Sequence, residues 1–223
     1  RIFPPQLVPF FLLLLAVSLP PQPPSQLPAS TLTRRVDNHY NHLQTLRARY
    51  IERYSGMGLE RAESGTLLLK KPGLMRWNYD TPPGKVFVLD GHYAWFYTPG
   101  DAQVTRAPAR QLDDLRSPLR FLLGHTQLAK ELDHLTVTPL GQSGPNQNYL
   151  ISGVPKDMAQ RVSSLTLTVT PDGVIHAMKL EEVLCAVTDF TFSDMQEDIP
   201  LPKSDFTFTP PPGIPVVHAL PPI

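Results

Sequence analysis

Residues 70–79 read KKPGLMRWNY. Taken with period two, Met75, Trp77 and Tyr79 fall on one side of an extended segment and Leu74, Arg76 and Asn78 on the other. Proline and glycine at 72 and 73 put a turn just before it. The stretch therefore predicts a strand leaving a tight turn, with large, adaptable side chains on one face. Such a face packs an ordinary core or walls a cavity, and the alternation leaves both readings open.

Working outward, strand patterns precede it at 63–70 and follow it at 85–90, 93–98 and 102–106, separated by KPG, DTPPG, DG and PGD. Asp90-Gly91, between apolar runs, is the strongest hairpin signal of the chain. Upstream, Leu46, Ala48 and Tyr50 alternate with Arg47, Arg49 and Ile51, and GMG at 56–58 supplies a turn. Strands resume at 135–138, 149–152, 164–170, 174–181 and 183–192, and FTF at 206–208 reads as a last one stopped by Pro210. Two stretches carry helical spacing instead. Leu32, Val36, Tyr40, Leu43 and Leu46 form one apolar stripe, and Leu112, Leu115, Leu119, Leu122 and Leu123 form another inside an insertion at 108–131. The fold class is mainly β with α: a curled antiparallel sheet of about ten or eleven strands with two helical insertions. Apolar stripes usually mean core, so composition alone favours a filled interior.

Proline marks the boundaries. Of 26 prolines, eight lie at or before Pro28 and eight at or after Pro200. Sheet interiors exclude proline because it donates no ladder hydrogen bond, so the depleted centre is the folded body. This predicts a signal peptide and Pro-rich leader at 1–29, one domain at 30–210 and a Pro-rich tail at 211–223. The block LVPFFLLLLAVSL at 7–19 suits the apolar region of a secretory signal and is short for a mature spanning helix. Ala29, in LPA, offers a small residue for cleavage; an uncleaved anchor is the alternative. No cysteine follows this block closely enough to hold a lipid anchor, which predicts a mature protein that is soluble beyond the membrane.

Lys plus Arg and Asp plus Glu number 20 each, so no long-range field recruits nucleic acid or an anionic surface. The single cysteine, Cys185 in VLCAV, rules out an internal disulfide framework and reads as a buried structural thiol. No GxSxG, GxGxxG or GxxxxGK[ST] motif occurs. His39 and His42 are three apart on the first helix, but no third metal ligand is placed, and His39 reads as solvated. Neither a catalytic group, a metal nor a cofactor can be nominated, and an enzyme is the poorest reading.

GTLLLKKPGLMRWNY (65–79), VLDGHYAWFYTP (88–99), SPLRFLL (117–123) and FTFTPPPGIPVV (206–217), in this order, resemble the periplasmic outer-membrane lipoprotein carrier family, LolA. The resemblance implies a half-open barrel lidded by short helices over an apolar cavity. It further implies a monomeric periplasmic chaperone of outer-membrane biogenesis. Such a protein takes acylated lipoproteins from an inner-membrane ABC transporter and passes them to an outer-membrane receptor, with no covalent chemistry. Carried onto this chain, it makes Tyr40, Leu43, Tyr50, Met75, Trp77, Tyr79, Leu119 and Leu122 the acyl-chain cavity. Lys71 stands where many members have an arginine that latches the lid; it brings a point charge in place of a planar fork, and Arg76 is expected to share the role. The competing reading on the same scaffold is a sensory or binding domain for an envelope lipid or glycolipid.

Overall fold

The computed structural model describes residues 27–110, 122, 127–141 and 147–219. Helix α1 (Ala29–His42) is followed by β1 (Thr45–Gly56), β2 (Leu59–Lys70), β3 (Leu74–Thr81), β4 (Val86–Asp90), β5 (Tyr93–Tyr97) and β6 (Val104–Pro108). After one helical turn at Leu128–Glu131 come β7 (Leu132–Leu140), β8 (Asn148–Pro155), β9 (Val162–Val169), β10 (Ile175–Glu182), β11 (Val187–Glu197) and β12 (Val216–His218). They form one open, curled sheet in the order β12-β6-β5-β4-β3-β2-β1-β11-β10-β9-β8-β7. Every neighbouring pair is antiparallel except β12 with β6.

The alternation read from the sequence sorts side chains onto two faces. Leu46, Ala48 and Tyr50 of β1, Leu67 and Leu69 of β2, and Met75 and Trp77 of β3 belong to one buried cluster with Leu32, Val36 and Tyr40 of α1. That cluster continues through Phe190, Met178, Leu167 and Ile151 of the far strands. The outer face of β3 to β6 is covered separately, because its alternate residues are also apolar: Val86, Val88, Trp95 and Val104 pack against Phe208, Ile214 and Val216. Leu68 likewise meets Leu201 and Phe206. The Pro-rich C-terminal segment is thus a strap across the outer surface, held by extended backbone that needs no ladder donors.

Two glycines set the inner geometry. A Cβ on Gly65 would lie 1.9 Å from Asn78 O, so β3 could not run beside β2 at that register, and Tyr50 could not lie over the gap. A Cβ on Gly173 would lie 2.6 Å from Arg35 C and Val36 N, so the β9–β10 turn is bare where α1 rests on it.

The structure departs from the sequence reading at several places. Among the described residues there are twelve strands, β12 forming beyond Pro210; FTF at 206–208 is no strand, since Lys203–Phe206 is a 3-10 turn. The strand read from Val183 begins at Val187: Val183–Ala186 close the β10–β11 hairpin, with Glu182 N donating to Ala186 O at 2.8 Å. Cys185, at φ 64 in that turn, is exposed and is not a buried structural thiol. Leu112, Leu115, Leu119 and Leu123 and the apolar block at 7–19 lie outside the described residues.

Candidate functional site

The inner face is built in rungs. Leu46, Leu69, Met75 and Leu89 are cross-strand neighbours on one rung, and Ala48, Leu67, Trp77 and Phe87 on the next. Tyr50, Gly65 and Tyr79 follow, flanked by Phe192 of β11, and then Glu52, Glu63 and Phe190. A period-two strand keeps one face through all of these, so hydrophobic rungs near α1 grade into polar ones further along β1.

Aromatic rings dominate the middle rungs. Tyr50 meets Trp77 edge-on at 4.4 Å between centroids and Tyr79 at 5.7 Å, and Trp77 meets Phe190 at 5.9 Å. Edge-to-face pairs of this kind adapt by small rotations rather than by fitting one rigid shape. Tyr40, Leu43, Tyr50, Met75, Trp77 and Leu122 are each 3% exposed or less, and Tyr79 is half-buried. The described structure therefore brings together seven of the eight residues assigned to a cavity; Leu119 lies outside it. Trp77 Nε1 is enclosed without a hydrogen-bond partner among the described residues, an arrangement that costs stability and leaves a donor pointing into the interior.

Helix α1 closes this face and is tied down along its length. Arg35 donates to Pro171 O at 2.6 Å, Asp37 Oδ1 accepts from Leu128 N at 3.1 Å, and His39 pairs with Glu197 at 2.9 Å, so His39 is not merely solvated. Tyr40 is held at both ends: its Oη accepts the Ile175 N–H at 3.0 Å, and its carbonyl accepts from Lys71 Nζ. Burial pushes the Tyr40 phenol above its ordinary range and the Lys71 amine below its own, the latter opposed by Asp198. Lys71 thus touches α1. Arg76 does not share this contact. Period two turns it to the outer face, where Nε donates to Asn78 Oδ1 at 2.7 Å and Nη1 to Thr207 O at 2.9 Å and Asp205 O at 3.3 Å, fastening the C-terminal strap.

A polar cluster missed in the sequence ends the inner face. Glu63, 5% exposed, accepts from Lys85 Nζ at 2.7 Å on both oxygens, and Arg61 stands 3.5 Å from both Glu63 and Glu52. Lys85 also caps the Tyr79 ring at 4.3 Å. Burial, then the Glu63 charge, raises the Glu52 carboxyl above its usual value. The available signal was Glu52 continuing the Leu46, Ala48, Tyr50 alternation. Among the described residues no group of three His, Cys, Asp or Glu side chains is placed to hold a metal ion.

The family model described as outer membrane lipoprotein carrier protein LolA matches residues 41–209. The chain belongs to this family. Among curated LolA-family relatives, an outer-membrane lipoprotein carrier protein of Nitrosospira multiformis is 32% identical over 156 residues, covering 69% of this chain and 72% of that one. One from Nitrosomonas europaea is 26% identical over 212 residues, covering 93% and 97%. In fold, the chain resembles an uncharacterized conserved protein of Thermus thermophilus, with a TM-score of 0.55 at 12% identity, covering 86% of this chain and 99% of the other. It also resembles the Mycobacterium tuberculosis lipoprotein LppX, with a TM-score of 0.52 at 13% identity over 78% and 97%.

Proposed function

We propose that this chain is a soluble periplasmic carrier that holds lipoprotein acyl chains against the inner face of its curled sheet. It receives them from an inner-membrane ABC transporter and yields them to an outer-membrane receptor. The reading starts from LolA-family membership and from relatives that bear the name of lipoprotein carriers. The observation that carries it is the aromatic and methionine face of Tyr50, Met75, Trp77 and Tyr79 closed by a helix whose ties are polar and reversible. Aromatic and thioether side chains accommodate chains of varied length and saturation. Polar ties let the helix lift without unfolding the sheet. Tyr40, Leu43, Leu122 and Leu119 complete the pocket, and Lys71 acts as the latch. No step needs a bond made or broken, so the protein works as a chaperone and not as an enzyme. It is exported on a signal peptide removed near residue 29, its carrier domain spans 30–210 with β12 of the tail added to the domain's sheet, and it travels as a monomer.

The test is to purify the protein from a lipoprotein-containing periplasm and examine it by mass spectrometry, in parallel with release of lipoprotein from spheroplasts. Co-purified acylated peptide and release into the soluble fraction are expected. A free lipid or glycolipid in place of the peptide would move the assignment to a lipid-binding or sensory domain. Neither ligand nor release would overturn the carrier reading.

A further inference from the structure

Six large hydrophobic residues are exposed among the described residues, and four of them sit at two hairpin tips: Met57 at 91% and Leu59 at 56%, Val183 at 48% and Leu184 at 77%. The two turns are neighbours. Ser55 pairs with Val187 across β1 and β11, and a Cβ on Gly56 would come within 2.6 Å of Ala186 Cβ. The β1–β2 and β10–β11 hairpins therefore end side by side, each raising a pair of aliphatic side chains into solvent. This is the end of β1 away from α1, where the alternate residues pass from buried Tyr50 to half-buried Glu52 and Tyr54.

We propose that the paired hairpin tips are a membrane-contact surface that seats this end of the sheet on a lipid bilayer. A protein partner fits the feature poorly. Four protruding side chains offer on the order of a few hundred Å² of apolar patch, well short of the roughly 800 Å² per partner of a stable protein interface. They stand on convex turns and provide no groove for a complementary shape. A bilayer needs none, because isolated aliphatic side chains embed one by one at the boundary between headgroups and acyl chains. The surrounding charge is balanced. An open cleft of about 490 Å³ between the hairpins is edged by Arg53 and Arg61 among the cations and by Glu60 and Asp189 among the anions. Arg161, whose carbonyl accepts the Val183 N–H at 2.9 Å, and Glu182 add one of each sign at the base of the second turn. Contact is therefore apolar in origin, indifferent to headgroup charge and insensitive to salt. The inference rests on the tips alone and does not depend on what the interior carries.

Cys185 lies in the second tip, is exposed and is the one cysteine of the sequence, so a polarity-sensitive fluorophore attached there reads the tip directly. The full chain carrying this label is mixed with vesicles of zwitterionic phosphatidylcholine, alone or with anionic phosphatidylglycerol, at low and high salt. A blue shift of equal size on both vesicle types and at both salt levels is expected. Met57→Asn with Leu184→Glu, in turns where neither side chain is packed, should leave the circular dichroism unchanged and weaken vesicle partitioning at least about tenfold. Co-sedimentation of the unlabelled chain should show the same loss. The proposal is overturned by no shift on either vesicle or by a shift that the double variant keeps. It is equally overturned by binding confined to anionic vesicles and abolished by salt, or by a lipid-independent shift with a doubled mass in light scattering, which would make the tips a contact between two copies of the chain.

Discussion

Replacing Lys71 with Met keeps the length and most of the volume of the side chain while removing every donor it has. In the structure the ammonium bonds to the Tyr40 carbonyl in the last turn of α1, where backbone acceptors lack helical partners. A hydrogen bond from a charged group contributes about 1.5–3 kcal/mol net when enclosed. Lys71 is only half-buried, so water competes for its protons, and about 1 kcal/mol is the appropriate share. That corresponds to about a fivefold rise in the fraction of molecules whose helix is lifted. The sheet should be unaffected, because the other ties of α1 through Arg35, Asp37 and His39 remain, and β1 to β3 keep their ladder. Amide hydrogen exchange resolves this. Amides of α1 from Leu32 to His42 should exchange about fivefold faster in Lys71→Met, with β1 and β2 at wild-type rates, and Lys71→Arg should slow α1 below wild type because its planar fork has five donors. Unchanged α1 rates in the Met variant would falsify the latch. So would a uniform acceleration across sheet and helix, which would make Lys71 a contributor to global stability and nothing more.

Three further outcomes rest on the same contacts. Arg76→Ala removes two bonds to strap carbonyls, at about 1–2 kcal/mol, and should make the segment from Leu201 to His218 cleave faster in limited proteolysis while lipoprotein binding persists; an equally protected strap would place its anchorage in the Phe206 and Phe208 contacts alone. Glu52 holds its proton to higher pH folded than unfolded, so its share of stability is complete below the unfolded pKa and is lost as pH rises through the folded one. Glu52→Gln should therefore match the wild type in acid and exceed it at neutral pH in urea melts, and parallel curves at all pH values would refute the burial argument. Leu122→Glu puts a carboxylate at a position 1% exposed, costing several kcal/mol, and should lose acylated peptide in co-purification where Leu122→Met keeps it; wild-type loading in the Glu variant would show that the acyl chains lie elsewhere.

What the sequence made legible was periodic, and what it hid was decided by closure. KKPGLMRWNY shows its turn and its alternating face in ten letters because both depend on local geometry, and Met75, Trp77 and Tyr79 project to the side that the alternation assigns. The same rule already placed Arg76 opposite Trp77, so expecting it to reach α1 let a family pattern override a strand's parity. VLCAV reads as strand because nothing in it signals a turn; the reversal at Val183–Ala186 is forced by β10 and β11 having to pair. Cys185 is consequently exposed in spite of apolar neighbours. The strand at Val216–His218 was invisible for the converse reason. Three residues between prolines signal no strand in sequence; their parallel pairing with β6 depends on Phe208 and Ile214 packing on the outer face beside them. Glu52 and Glu63 continue the inward parity of β1 and β2 into polar residues, where no apolar alternation marks them as inward-facing.

The interior sets the energetics of the proposed carrier. Each acyl methylene moved out of water contributes about 0.8 kcal/mol, so two or three long chains fully enclosed would gain roughly 20–40 kcal/mol, more than any reversible complex sustains, and would not be released on any useful timescale. In this structure the space beneath α1 is taken by the protein's own side chains, with Leu32, Val36 and Tyr40 at 1% exposure or less. An acyl chain must therefore displace them, exposing or repacking the apolar stripe of the helix and breaking ties at Arg35, Asp37, His39, Tyr40 and Lys71. Those costs are of the same kind as the gain and subtract from it directly. Apparent affinity then falls by the fraction of molecules with the helix lifted, which lets one change at Lys71 tune loading without touching the pocket. The polar ties and the apolar stripe thus act against each other by construction: the stripe makes the empty protein stable, and the ties set how far a cargo's gain is offset.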